Sequence, residues 1–220
     1  MACVLTENEA LYIPAGLDSM LNHLGRTRDQ AMEEYYDRVL TPHIVPEGTD
    51  PSLLANVQNF VNYGTFSTLR LGQGERAGVV NSYREAYGHL PITECDWQNV
   101  IKIANTKLPT DRLTAREQGL VSTFQKIYGR APNDVLMDRI AHMVMAYGVR
   151  PQSRDLRAEW QASKVHLKLF GKLPSTASEW DINRAIAYSG LPQSLLAADL
   201  SNATGRIYAF LTDGASLSLK

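Results

Sequence analysis

The 220-residue chain is 44% hydrophobic and 20% charged, the composition of a globular protein that buries a core without staples, which excludes general disorder. A net charge of −1 and a pI near 6.5 give no electrostatic footprint for nucleic acid and disfavour it as a partner, and no run approaches the roughly 18 apolar residues of a membrane-crossing helix. Cys3 and Cys95 lie far apart with no Cys-x-x-Cys or Cys/His spacing, so neither a zinc site nor a disulfide framework follows from them, and a bond between the two stays open.

Residues 1–49 read as an N-terminal helical cap and loop, with neither the basic nor the apolar region of a signal peptide at residues 1–7. Two helical stretches meet at Gly25, and Thr27 with Gln30 resembles a capping box at the start of the second. Ala31, Tyr35 and Val39, with Met32 and Tyr36 beside them, form an i, i+4 stripe that predicts a core-facing side, whereas Glu33 and Glu34 read as solvated. Pro42, Pro46, Gly48 and Pro51 then mark a loop, with Asp50 as N-cap and Pro51 at the first helical position. The following helix ends at Gly64 in an ending similar to Ala146-Tyr147-Gly148 and Ala187-Tyr188-Ser189-Gly190. Residues 50–64 therefore read as the second half of a degenerate leading repeat.

Three fuller repeats follow, announced by Ser82-Tyr83-Arg84-Glu85-Ala86-Tyr87-Gly88-His89-Leu90-Pro91 and its two later copies. Their glycines, Gly88, Gly129 and Gly171, stand 41 and 42 residues apart, a period of stacked supersecondary units. Each predicts a left-handed helix end, and Pro91, Pro132 and Pro174 prevent the helix from resuming. Upstream, Val79, Tyr83 and Tyr87, then Leu120, Phe124 and Tyr128, then Ala162, His166 and Phe170 repeat at spacings of four, one face of a first helix. Downstream, Thr93 with Asp96 and Thr176 with Glu179 resemble capping boxes of a second helix, with Asp134 as the N-cap of the middle copy. Trp97 and Trp180 stand nine residues after their glycines, where the middle copy has Asp138. The expected fold is all-α: an array of helical hairpins with a repeat of about 41–42 residues over 50–192 (half a repeat plus three), between the N-terminal cap and a tail at 193–220.

Little catalytic chemistry is legible. Gly72-Gln73-Gly74-Glu75-Arg76 lacks the third glycine of a dinucleotide loop and the Lys-Ser/Thr of a P-loop, so it reads as a turn into a helix. The histidines 23, 43, 89, 142 and 166 form no metal-binding spacing, and His166 reads as a core histidine. No catalytic, cofactor-binding or metal residue is assigned, and no cofactor is expected. The five charges between Arg150 and Glu159 read as a charged junction between repeats. Trp97 and Trp180 suit core packing better than a sugar-binding groove. The structural positions are thus Gly88, Pro91, Trp97, Gly129, Pro132, Gly148, Gly171, Pro174 and Trp180. In the tail, Tyr208, Phe210, Leu211, Leu217 and Leu219 are the candidate assembly contacts.

Taken together, Leu71-Gly72-Gln73-Gly74-Glu75-Arg76-Ala77-Gly78-Val79-Val80-Asn81-Ser82-Tyr83, Asp96-Trp97-Gln98-Asn99-Val100-Ile101-Lys102-Ile103-Ala104-Asn105, Val144-Met145-Ala146-Tyr147-Gly148-Val149-Arg150-Pro151 and Trp180-Asp181-Ile182-Asn183-Arg184-Ala185-Ile186-Ala187-Tyr188-Ser189-Gly190 resemble an uncharacterised repeat module of predicted exported or cell-surface proteins of candidate-phyla bacteria. The resemblance covers residues 55–190 and implies a location outside the cytoplasm, with no catalytic assignment to transfer. The expected function is a non-enzymatic structural subunit of a surface-associated or filamentous assembly. Its partners would be copies of itself or other surface proteins. The alternative is a glycan- or peptide-binding helical repeat module.

Overall fold

The computed structural model describes residues 17–189; Cys3 and the tail positions Tyr208, Phe210, Leu211, Leu217 and Leu219 lie outside them. Among the described residues the secondary structure is helical and contains no strand, as the periodicity predicts. The chain forms two compact units that divide between Ala104 and Asn105, within the stretch 50–192 that the sequence reading treats as continuous.

In the first unit, α1 (Leu17–His23), α2 (Gln30–Val39), α3 (Thr41–Ile44) and α4 (Pro51–Tyr63) precede a 3-10 turn (Phe66–Thr68), α5 (Gln73–Tyr87) and α6 (Glu94–Ala104). Helix α4 packs on α2 and α5, and α5 packs on α6. Val57, Phe60, Val79, Val80, Tyr83, Trp97, Val100 and Ile103 are buried there, and the Phe60 and Trp97 rings lie 5.4 Å apart. Helix α2 turns differently from the predicted stripe: Tyr35 and Val39 are 51% and 39% exposed, and Glu33 is buried instead. Its N-cap is Asp29, whose carboxylate accepts from the Met32 N–H at 2.9 Å, displacing Thr27 from that role.

Asp50 starts α4 by accepting from the Ser52 and Leu53 N–H groups, with Pro51 at the first helical position. The C-terminal carbonyls of α4 meet Arg76, whose guanidinium donates to Val61 O at 2.8 Å, to Asn62 O at 2.9 Å and to Leu71 O. Burial lowers the Arg76 pKa to about 10, so it stays charged at neutral pH while satisfying helix-end acceptors.

The second unit contains α7 (Thr114–Gly119), α8 (Val121–Tyr128), α9 (Leu136–Tyr147), α10 (Leu156–Phe170) and α11 (Ala177–Tyr188). Helix α11 packs on α9 and α10. Phe124, Ile127, Ile140, Val144, Ala162, Ala185 and Ile186 are buried. The single first helix expected before Gly129 is broken at Leu120 into α7 and α8.

Gly88, Gly129 and Gly171 end α5, α8 and α10 in the left-handed region, each with its N–H on the carbonyl four residues back. After each elbow an acidic side chain receives backbone N–H groups: Asp96 from Ile92 and Thr93, Asp138 from Asn133, Glu179 from Ser175 and Thr176. Asp138 is therefore the counterpart of Asp96 and Glu179, displaced by one residue, and not of the tryptophans. Asp134, expected as N-cap, leaves its side chain 91% exposed, and the cap position falls to Val135.

Gly64 has φ 71 and ψ −168, a backbone conformation essentially restricted to glycine. A Cβ there would sit 2.8 Å from Thr68 Oγ1 and 3.0 Å from Arg76 Cδ, whereas one at Gly88 would meet open space. Gly64→Ala is expected to lower unfolding free energy by about 2–3 kcal/mol and Gly88→Ala by about 1 kcal/mol. Urea midpoints at unchanged m-value test this ranking.

Candidate functional site

Among the described residues, one constellation of polar side chains occurs three times. Before α2, the Arg28 guanidinium grips the Glu33 carboxylate with Nε and one terminal nitrogen at 2.9–3.1 Å. The Tyr63 hydroxyl, on the last residue of α4, donates to the same carboxylate at 2.5 Å and accepts from the Asp29 N–H at 3.0 Å. Arg112, Glu117 and Tyr147 repeat this, the tyrosine hydroxyl donating at 2.6 Å and accepting from the Leu113 N–H at 2.6 Å. Arg154, Glu159 and Tyr188 do so again, at 2.8 Å to the carboxylate and 2.9 Å from the Asp155 N–H.

Arg28, Arg70, Arg112 and Arg154 are spaced by 42 residues, as are Glu33, Glu75, Glu117 and Glu159. At Arg70 the pattern changes, because Asn105 stands where the others have tyrosine and Arg70 donates to the Ala104 carbonyl. The constellation carries the recurrence upstream to Arg28, ahead of the Asp50 from which the sequence reading counts. Fixed spacing of Arg and Glu was the signal available in the sequence, and Glu33, read as solvated, is a buried member. Burial raises the Tyr63 and Tyr147 pKa values to about 12, with the adjoining carboxylate reinforcing the shift. Glu117 is held below its ordinary range because Arg112 and Tyr147 outweigh the burial that opposes them.

The junction at residues 150–159 is more than a string of surface charges. Arg150 and Asp181 are fully buried at 3.5 Å, and Arg184 reaches the same Asp181 oxygen at 2.6 Å. His166 is a core side chain whose Nδ1 lies 2.8 Å from Lys172 O. Trp97 is buried, but Trp180 is 41% exposed and so leaves the core role predicted for it. Cys95 is disulfide-bonded. Among the described residues, no group of three or more His, Cys, Asp or Glu side chains is placed to hold a metal ion, and no helix is long and apolar enough to cross a membrane.

Two surface features remain. A polar groove of about 550 Å³ lies between α2 and α4, lined among others by Asp37, Asn56, Asn59 and Asn62. The Asn62 Nδ2 donates to Asp37 at 3.0 Å, while its Oδ1 is buried with no hydrogen-bond partner. Burial raises the Asp37 pKa; the Asn62 hydrogen bond opposes this and nearby Glu33 adds to it. Separately, Leu156, Trp160 and Leu167 share one face of α10 at 65%, 60% and 46% exposure. The Lys164 ammonium lies 5.6 Å from the Trp160 ring centroid. The chain matches no family model, no curated protein and no solved structure.

Tyr188→Phe deletes both a donor to Glu159 and an acceptor for Asp155, and is expected to cost about 1–3 kcal/mol of stability. A double-mutant cycle with Glu159→Gln tests it, with strong non-additivity the expected result. Glu117, Asp138 and Glu179 all have lowered pKa values in the folded chain, Glu179 at about 2. Their contribution is complete above the ordinary values of 3.8 and 4.5 and is lost as pH falls through the folded values. Urea midpoints are therefore expected to drop between pH 4.5 and 2, and Glu117→Gln to flatten part of that slope.

Proposed function

We propose that the protein is a non-enzymatic structural subunit that works by self-association, built as a short tandem series of helical hairpins. The observation that carries this reading is the stripe of Leu156, Trp160 and Leu167, three large apolar side chains on one uncovered face of α10. Contiguous exposed apolar surface of this kind marks protein–protein contact. Helix α2 offers a different apolar pair, Tyr35 and Val39, on its own exposed side. Two dissimilar patches on one chain suit heterologous contacts between copies, which close into rings or extend as filaments according to the rotation between neighbours. The disulfide at Cys95 fits an oxidising compartment, in keeping with the exported context that the sequence resemblance implies.

Light scattering after size exclusion, with negative-stain microscopy of the same fractions, tests the proposal. The native chain is expected to form a defined oligomer or filament. Trp160→Glu combined with Leu156→Lys is expected to return it to monomer with an unchanged helical circular dichroism spectrum, since both side chains are exposed. A native chain that stays monomeric at every accessible concentration overturns the reading.

A further inference from the structure

Resting on the self-association set out above, we propose that the apolar face of α10 is covered by the first elbow of a second copy, the turn at residues 88–96 between α5 and α6. Charge is divided unevenly along the chain. Residues 17–104 carry 7 Lys and Arg against 11 Asp and Glu, a net −4, and residues 105–189 carry 13 against 8, a net +5. A chain of net charge −1 thus holds an acidic unit and a basic one, and a unit of one copy attracts the opposite unit of the next.

Two surfaces concentrate the difference. The second and third elbows neutralise themselves: Arg130, directly after Gly129, pairs with Asp138 at 2.5 Å, and Lys172, directly after Gly171, pairs with Glu179 at 2.5 Å. At the first elbow that position is His89, whose Nδ1 lies 2.8 Å from the Leu90 carbonyl. Asp96 is bonded instead by the Tyr83 hydroxyl and by the Ile92 and Thr93 N–H groups. Glu94 beside it is exposed, and no Lys or Arg occurs from residue 85 to residue 101. Ile92, 65% exposed, stands where the later elbows have Asn133 and Ser175. An acidic turn that presents a large apolar side chain requires a partner both basic and apolar.

Helix α10 has that chemistry. At about 100° per residue, Leu156, Trp160 and Leu167 fall in one narrow sector, and Arg157, Lys164 and Lys168 fall in the sector beside it. All six are exposed. Counted by 42, Arg157 and Lys164 stand where the preceding copy has Ala115 and Ser122, so the basic row is added at α10 as the apolar one is. Between Arg157 and Lys172 the only carboxylate is Glu159, which is buried against Arg154. Two α10 faces set together would oppose their own cations, which disfavours a symmetric pairing and selects a heterologous one. Helix α2 is a poorer match than the elbow, because its exposed side carries Arg38 as well as Glu34.

Two full-length variants, altered only at exposed positions, test the pairing. Ile92→Lys with Glu94→Lys changes the elbow, and Trp160→Glu with Lys164→Glu changes α10. Each alone is expected to be monomeric by light scattering, with the native helical circular dichroism spectrum. Their equimolar mixture is expected to form a one-to-one dimer and nothing larger, since it retains one intact elbow and one intact α10 face. Raising salt from about 0.05 to about 0.5 M is expected to weaken native assembly about tenfold or more. If the elbow variant assembles as the native chain does while the α10 variant does not, self-association stands and the elbow as its partner is overturned. A mixture that stays monomeric, or native assembly insensitive to salt, overturns the pairing as well. A native chain that is monomeric in solution overturns both readings, and pelleting of that monomer with phosphatidylglycerol vesicles, lost in the α10 variant, makes α10 a lipid-facing helix instead.

Discussion

A glutamate carboxylate near the start of a helix, held by an arginine five residues earlier and by a tyrosine at the end of another helix, is the constraint that recurs at Glu33, Glu117 and Glu159 and on which the packing around each of them depends. Its effect is geometric before it is energetic. Tyr63, Tyr147 and Tyr188 each finish a second helix, and each hydroxyl must reach both the carboxylate and the backbone N–H that follows the arginine. That double requirement fixes where the second helix ends relative to where the first begins. The arginines remain partly exposed, at 53%, 41% and 44% of their side chains, while the glutamates are nearly covered. Much of the ion pair is thus screened, and the tyrosine hydrogen bonds inside the covered region carry more of the specificity.

What the sequence makes legible is local chemistry. A glycine followed three residues later by proline fixes the elbow within a few residues, so Gly88, Gly129 and Gly171 could be placed without knowing what they pack against. The Arg–Glu–Tyr constellation was harder to see because its parts are polar and the tyrosine is remote. Glycine spacing also conceals it: Asp96, Asp138 and Glu179 all stand nine residues before Asn105, Tyr147 and Tyr188, yet Asp138 is one residue further from its glycine than the other two are. The middle elbow contains the extra residue, and counting from the glycine assigned Asp138 to the wrong place in the unit.

Helical periodicity also tells which side chains share a face but not whether anything covers it. Tyr35 and Val39 fit a core stripe as well as Val79 and Tyr83 do, yet α2 presents its Glu33 and Asp37 side to α4 because Arg28, Tyr63 and Asn62 supply partners there. Trp97 and Trp180 occupy the same register, and only Trp97 is enclosed, against Phe60. The groove was illegible for the same reason. Asp37 and Asn62 become a pair only once α2 and α4 are brought together.

The surface of the leading copy and that of α10 depart from the interior pattern in opposite directions. Around α4, Asp37, Asn59 and Asn62 stand where the next two copies, counted by 42, have Val79 and Val121, Ile101 and Met143, and Ala104 and Ala146. On α10, Leu156, Trp160 and Leu167 stand where the preceding copy, counted by 42, has Thr114, Gln118 and Gln125. A terminal repeat made only for solubility would become polar wherever it loses a neighbour. The first departure goes further than solubility requires, since it buries an unmet acceptor, and the second runs against it, exposing large apolar side chains in place of polar ones. Both are costs to an isolated chain, and in the proposed self-association the apolar surface of a neighbouring copy is what relieves the one at α10.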